Sequence, residues 1–343
     1  MIDTVKTIYT HLQDEKSKFL FENRVLYTLT GDSRYIERII EQMPQKQALD
    51  QAIAFCRNHI HELVVYGAGN DLSLLTELYP DAWFRYICDG SKQKQENGWR
   101  GIPVWSPEEF IKKKDKMYVA VNTAGFHKEI VRFLLANGVH EEKIIDLGAI
   151  SAPLYSEQYF DKEIMAANPE EVFIDGGCFD CATDKRFIEW CSGSYRKIYA
   201  FEPDAENYRR CKEICEREMI QNIEIYNRGL WDCETELSFQ ETGGQGSRLG
   251  EGENTVLTAV IDRVAGEEPV SLIKLDVEGA ELEALKGARE TIMKNHPRLA
   301  ISIYHKPEDI FTIPEYILSL HQDYRFYIRH YQMSPCETIL YAL

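Results

Sequence analysis

One pattern recurs along this chain. A short apolar run ends in a turn of glycine or acidic residues, and a stretch with apolar residues at helical spacing follows. In the second half the apolar runs are residues 172–174, 197–201, 223–226, 272–275 and 299–304. They lead into Asp175-Gly176-Gly177, Glu202-Pro203, Gly229-Leu230-Trp231-Asp232, Asp276-Val277-Glu278-Gly279 and His305. Strand and helix alternating in this way pack as a parallel sheet covered by helices, an α/β fold. Two extended runs, 324–331 and 337–343, joined at Ser334-Pro335, close the chain as an antiparallel hairpin.

The first half divides further. Residues 1–61 read as a helical segment: Leu12, Phe19, Leu20, Val25, Leu26 and Leu29 recur at helical spacing. Ser33 is placed to cap a helix from Arg34 that Pro44 ends. Residues 62–149 repeat the strand–helix alternation as a smaller Rossmann-like domain. Gly67-Ala68-Gly69 follows its first apolar run, and Asp89 ends its second, where a ribose-binding acid would stand. Position 72 is Leu rather than a third glycine. The pattern therefore fits a structural unit better than a dinucleotide site. Residues 150–343 form the third and largest segment.

Composition narrows the partners. The 343 residues carry 39 Lys and Arg against 56 Asp and Glu, a formal net charge of −17. Such a chain repels nucleic-acid phosphates and anionic membranes. No apolar run is long enough to span a bilayer, and the N-terminus lacks the apolar centre of a signal peptide. Nine cysteines, an odd number, fit a reducing compartment. The expected location is cytoplasmic.

Asp175, Glu202, Asp232, Asp276, Glu278 and His305 all sit where strands of the third segment end. Ligands of open parallel sheets bind at that rim. One acid there is an ordinary helix cap; five strand ends carrying such residues point to a site. The loop from Asp175 to Thr183 has glycines for close backbone approach but no lysine, which excludes a Walker-type phosphate cradle. A ligand with a ribose and a positive charge suits it, and S-adenosylmethionine is one.

Asp175-Gly176-Gly177-x-x-Asp180-x-x-Thr183, Phe201-Glu202-Pro203-Asp204, Gly229-Leu230-Trp231-Asp232 and the run from Lys274 to Glu281 together resemble the FkbM-family methyltransferases. The runs from Ile303 to Pro307 and from Glu337 to Tyr341 are similar as well. The resemblance implies a seven-stranded, mostly parallel sheet and S-adenosylmethionine-dependent O-methylation of a hydroxyl on a sugar, glycan precursor or natural product. It implies that Asp175, Gly176, Gly177, Phe179 and Thr183 form the cofactor loop, that Glu202 holds the ribose and that Asp232 lies near the adenine. Asp276, Glu278 and His305 would face the methyl group and acceptor, with His305 as base and no metal; a divalent metal on Asp276 is the less favoured alternative. Cys181 departs from the family, where glycine is common, and could crowd the cofactor.

Other features have plain readings. Cys178-x-x-Cys181 lacks a second CxxC or a His pair at zinc spacing, so it reads as small-residue filler. Cys211 and Cys215, one helical turn apart, read as helix packing. Glu281 reads as a first-turn acid favoured by the helix dipole. The glycine-rich stretch 243–248 could form a lid, and 251–253 an acidic solvated loop. Two rival functions remain: a nicotinamide-dependent oxidoreductase using Gly67, Gly69 and Asp89, and a non-catalytic binding protein with a degenerate loop.

Overall fold

A computed structural model describes residues 2–240, 248–249 and 254–343. The glycine-rich residues 243–247 and the acidic residues 251–253 lie outside the described residues. The chain forms two compact units: residues 37–156 with 332–334, and residues 1–36 with 157–331 and 335–343.

The smaller unit is a five-stranded parallel sheet. Its strands are β1 (Leu63–Tyr66), β2 (Tyr86–Cys88), β3 (Val104–Trp105), β4 (Tyr118–Val121) and β5 (Ile144–Asp146), in the order β3-β2-β1-β4-β5. The two-residue β3 carries too little apolar sequence to have been anticipated. Gly67 has φ +113°, and a Cβ there would lie 2.7 Å from the Asn122 carbonyl oxygen. Asp89 does reach this glycine loop. Its Oδ2 accepts from the Ala68 N–H (2.8 Å) and pairs with Lys94 (3.0 Å), and its Oδ1 accepts from the Ser91 N–H. The acid expected on a ribose thus closes its own loop.

The larger unit holds β6 (Val172–Gly176), β7 (Lys197–Phe201), β8 (Ile223–Tyr226), β9 (Gly229–Leu230), β10 (Glu236–Gln240), β11 (Arg248–Leu249), β12 (Asn254–Ala259), β13 (Leu272–Leu275), β14 (Arg298–Ser302), β15 (Phe326–His330) and β16 (Thr338–Ala342). Seven of these form one sheet in the order β15-β16-β14-β13-β6-β7-β8. The run from β14 to β8 is parallel, and β16 is antiparallel to both neighbours. The four strands β9 to β12 make a separate small sheet, order β11-β10-β12-β9. The central strands β6 and β13 are buried along their whole length, as apolar strands covered on both faces are.

The helical segment expected at 1–61 is divided between the two units. Helices Ile2–His11 and Glu15–Thr30 belong to the larger one. Ile8, Leu12, Leu20 and Phe21 are buried there, and Leu12 bridges to Phe326 at the edge of β15. Ser17 Oγ accepts the Ile328 N–H (2.9 Å), and Asp14 pairs with Arg329 (2.7 Å). These contacts cover an otherwise open sheet edge. Pro44 ends one helix but also opens the next, Pro44–Asn58, whose first N–H needs no partner.

Lys274 is the exception among the apolar residues of β13. Its side chain is 2% exposed, and its ammonium donates to Asp175 Oδ1 (2.8 Å), Gly176 O (2.9 Å) and Gly177 O (2.9 Å). All three donors are satisfied, and Asp175, with Asp276 beyond it, keeps the amine charged against the cost of burial. Removing one member of a buried pair strands the other, at about 3–5 kcal/mol. Lys274→Met should therefore lower unfolding stability by about that amount in urea denaturation. A loss under about 1 kcal/mol would show that the pair is not what holds β6 to β13.

Candidate active site

The loop after β6 is shaped by backbone that only certain residues adopt. Gly177 has φ +84°, and a Cβ there would lie 2.0 Å from the Asp276 carbonyl oxygen, so no side chain fits. Phe179 (φ 51°) and Cys181 (φ 58°) also occupy the left-handed region. Glu202, at the end of β7, is buried and accepts from the Phe179 N–H (3.0 Å) and the Asp204 N–H (2.9 Å). Burial raises its carboxyl to about 7, against the two backbone donors.

The expected cofactor residues are placed unequally. Gly176, Gly177 and Phe179 lie in the loop, and Glu202 reaches it from the end of β7. Asp175 is fully buried beneath it, with one oxygen on Lys274 and the other without a partner, so it anchors the loop from below. Thr183 is buried in the first turn of helix Ala182–Trp190, and its hydroxyl accepts from Arg186 (3.2 Å). Asp232 is exposed after β9.

The second cluster forms where β13 and β14 end. His305 is nearly buried. Its Nδ1 lies 2.9 Å from Glu281 Oε1, and its Nε2 lies 3.4 Å from Glu278 Oε2 and 3.5 Å from Asp276 Oδ1. Asp276 also accepts from Tyr159 (2.6 Å) and Tyr304 (3.2 Å). Tyr304 donates alternatively to Glu337, which Gln158 also reaches. Glu278 has φ +54°. One ligand atom each from Asp276, Glu281 and His305 lie within 4.8 Å of one another, a donor set that a divalent cation could use.

The sequence reading missed part of this cluster. Glu281 is more than a first-turn acid: it is fully buried, its Oε1 accepts the Val277 N–H (2.9 Å), and the same oxygen faces His305. Tyr304 and Glu337 stood within recognised motifs without a role. Lys274 could have been found by alternation, since it shares a strand face with Asp276. Tyr159 precedes β6 and carries no local signal.

Burial would lower the His305 pKa, but Glu281, then Asp276 and Glu278, raise it to about 9. Burial raises Asp309 to about 7, and Glu337 to about 7 with further help from Asp276. Each group holds a proton in the folded chain that the unfolded chain releases at lower pH, so stability falls as pH rises. The His305 contribution is complete below its unfolded value of about 6.5 and is lost as pH passes about 9, roughly 3 kcal/mol in all. Denaturation midpoints should drop between about pH 7 and 9, and His305→Gln should flatten that drop. An unchanged slope in the variant would refute the assignment.

The residues of this site fall within the part of the chain that is similar to known proteins. Residues 175–332 match the family model of the methyltransferase FkbM domain. A 151-residue stretch is 26% identical to the 2-O-methyltransferase NoeI of Sinorhizobium fredii (strain NBRC 101917 / NGR234), covering 37% of this chain and 60% of that protein. The chain thus matches less than two thirds of that relative's length. Among solved structures it is similar to methyltransferase FkbM from Methylobacillus flagellatus KT, with 19% identity, a TM-score of 0.49, and coverage of 86% of this chain and 93% of that one. A SAM-dependent methyltransferase from Aquifex aeolicus is similar at 16% identity and a TM-score of 0.33, over 54% of this chain and 90% of that one. The segment that carries the glycine loop, Glu202 and the His305 cluster is the one that matches the methyltransferase FkbM domain.

Proposed function

We propose that the chain is an S-adenosylmethionine-dependent O-methyltransferase acting on a hydroxyl of a sugar, glycan precursor or natural product. The observation that carries this reading is the adjacency of two parts. The loop at Gly177 admits no side chain, and its neighbour Asp276 belongs to the acid–histidine cluster. The loop fits a cofactor with a ribose: Gly176 and Gly177 let it approach the backbone, and Glu202 offers carboxylate oxygens for the ribose hydroxyls. The 2-O-methyl transfer named for the Sinorhizobium relative supports a hydroxyl acceptor.

The cofactor, when bound, supplies an electrophilic methyl group on a sulfonium. His305 takes the acceptor proton at Nε2, while Glu281 at Nδ1 fixes the ring and favours the imidazolium that results. Asp276, kept ionised by Lys274 and His305 against burial, faces the same Nε2 and orients the hydroxyl. Glu278 would add negative charge that favours a sulfonium at this end of the site.

Two predictions follow from these roles. Glu202→Ala should weaken S-adenosylhomocysteine binding in calorimetry by about 1.5–3 kcal/mol, the worth of a hydrogen bond to a charged group. Because Glu202 ionises near 7, wild-type affinity should rise as pH passes that value and the rise should vanish in Glu202→Gln. Equal affinity in Glu202→Ala would remove this residue from the ribose site.

His305→Ala should lower kcat by about 10²–10⁴-fold in a methyl-transfer assay over nucleotide sugars and glycans. The base must be neutral to act, so wild-type kcat/KM should climb with pH until about 9. Added magnesium or manganese should not stimulate the wild type. An enzyme that depends on added magnesium or manganese and loses activity to Asp276→Asn, but survives His305→Ala, would replace the base with a divalent cation.

A further inference from the structure

Four of the nine cysteines meet at one point. Cys178 and Cys181 are buried in the loop after β6. Helix Ala205–Glu218, which follows β7, buries Cys211 and Cys215 one turn apart on a single face. Cys178 Sγ lies 3.8 Å from Cys211 Sγ, and Cys181 Sγ lies 3.9 Å from Cys215 Sγ. The sulfurs of Cys178, Cys181 and Cys211 are all within 4.8 Å of one another. A tetrahedral zinc with Zn–S of about 2.3 Å has sulfur–sulfur edges of about 3.8 Å. The Cys178–Cys211 and Cys181–Cys215 separations match that edge and are far longer than the roughly 2.0 Å of a disulfide; Cys215 lies more than 4.8 Å from Cys178 or Cys211, so a turn of its side chain closes the tetrahedron.

A second observation concerns the backbone. Cys181 has φ 58°, a conformation that glycine enters freely and cysteine only at a cost of about 1–2 kcal/mol. As N-cap of helix Ala182–Trp190 it makes no side-chain capping bond. Ordinary filler would not need a strained residue here, whereas a ligand that must point its sulfur toward Cys211 and Cys215 would.

We propose that Cys178, Cys181, Cys211 and Cys215 form a tetrathiolate site for zinc, tying the loop after β6 to helix Ala205–Glu218. Binding breaks four S–H bonds, releases four protons to solvent and forms four Zn–S bonds; nothing is oxidised or reduced. The site is structural, because the four thiolates fill the tetrahedron and leave no open position. It is separate from the Asp276, Glu281 and His305 set, whose donors are oxygen and nitrogen. The missing partner of the Cys178-x-x-Cys181 motif is thus Cys211-x-x-x-Cys215, supplied by a helix rather than by a second knuckle. The proposal stands whether or not the domain binds S-adenosylmethionine.

The test uses the full chain without a histidine tag, purified without chelator from zinc-supplied cells. Elemental analysis should find about one zinc per chain, released in step with mercurial titration of the thiols. Cobalt exchanged into the protein should show sulfur-to-cobalt charge transfer and intense tetrahedral bands. Cys178→Ser and Cys211→Ser should each lose the metal, while Cys233→Ser/Cys336→Ser, altered at exposed positions, should keep it. If the core variants do not fold, mercurial release and the cobalt spectrum of the wild type decide the matter. Absence of metal with four reactive thiols, disulfides among the four, or a cobalt spectrum without sulfur ligation would each overturn the proposal.

Discussion

A single buried ammonium holds the two central strands at the rim where the site is built. Lys274 enters from β13 and binds the Asp175 side chain and the Gly176 and Gly177 carbonyls at the end of β6. The Gly176 carbonyl also takes the Asp276 N–H (3.1 Å), but Gly177 lies past the end of β6, and a buried carbonyl without a donor is costly. Capture of both carbonyls fixes where the loop turns, and the turn brings Gly177 against the Asp276 carbonyl so closely that only glycine fits. The glycine loop and the acid–histidine cluster share this origin: one residue of β13 positions the first, and the end of the same strand supplies Asp276 to the second.

The strand–helix alternation was legible because fully buried parallel strands write themselves as unbroken apolar runs. The rim acids were legible because acids at strand ends stand out against such runs. Elements that depend on distant partners were not. The small sheet of β9 to β12 is polar and short. Helices Ile2–His11 and Glu15–Thr30 read as part of one helical segment, yet their apolar face closes the edge of β15, more than 300 residues away in sequence. Glu281 looked like a dipole-favoured acid because its position explains it locally, and only β14 brings His305 to its other side. Cys211 and Cys215 looked like helix packing for the same reason: half of a four-sulfur cluster carries no signal until the other half is beside it.

Half of the ten non-glycine residues of positive φ among the described residues stand at this rim, Glu337 among them beside Tyr304 and Gln158. Tyr159, Phe179, Cys181 and Glu278 all have positive φ without being glycine. Each such residue costs about 1–3 kcal/mol and persists only where its surroundings over-determine it. The surroundings are visible for each. Tyr159 is held by its hydrogen bond to Asp276 and by the Tyr341 hydroxyl, which accepts its N–H. Phe179 donates its N–H to Glu202 while its carbonyl faces Cys211. Glu278 is drawn to the His305 ring. Cys181 donates its N–H to the Cys178 carbonyl (2.9 Å) and accepts the Lys185 N–H (3.0 Å), while its sulfur faces the Cys211 carbonyl and Cys215 Sγ, so the strained turn aims a thiol at the helix that carries the other two cysteines.

The electrostatics of the rim also constrain the chemistry. Three carboxylates around one imidazole hold it protonated near neutral pH, which by itself makes a strong but scarce base. On the proposed function, a cationic cofactor entering beside Asp276 and Glu278 would change that balance. Its positive charge would compete for the same carboxylates and lower the histidine's hold on its proton, so the proposed base would become available once the methyl donor bound. The charge needed to stabilise the resting imidazolium is the charge that attracts a sulfonium. The hydroxyl acceptor proposed above is neutral until its proton leaves, so it could enter a negative site that would repel a carboxylate or a phosphate placed at the reacting oxygen. That asymmetry favours a neutral hydroxyl at the reacting end of the acceptor and leaves any acidic groups of the substrate outside the cluster.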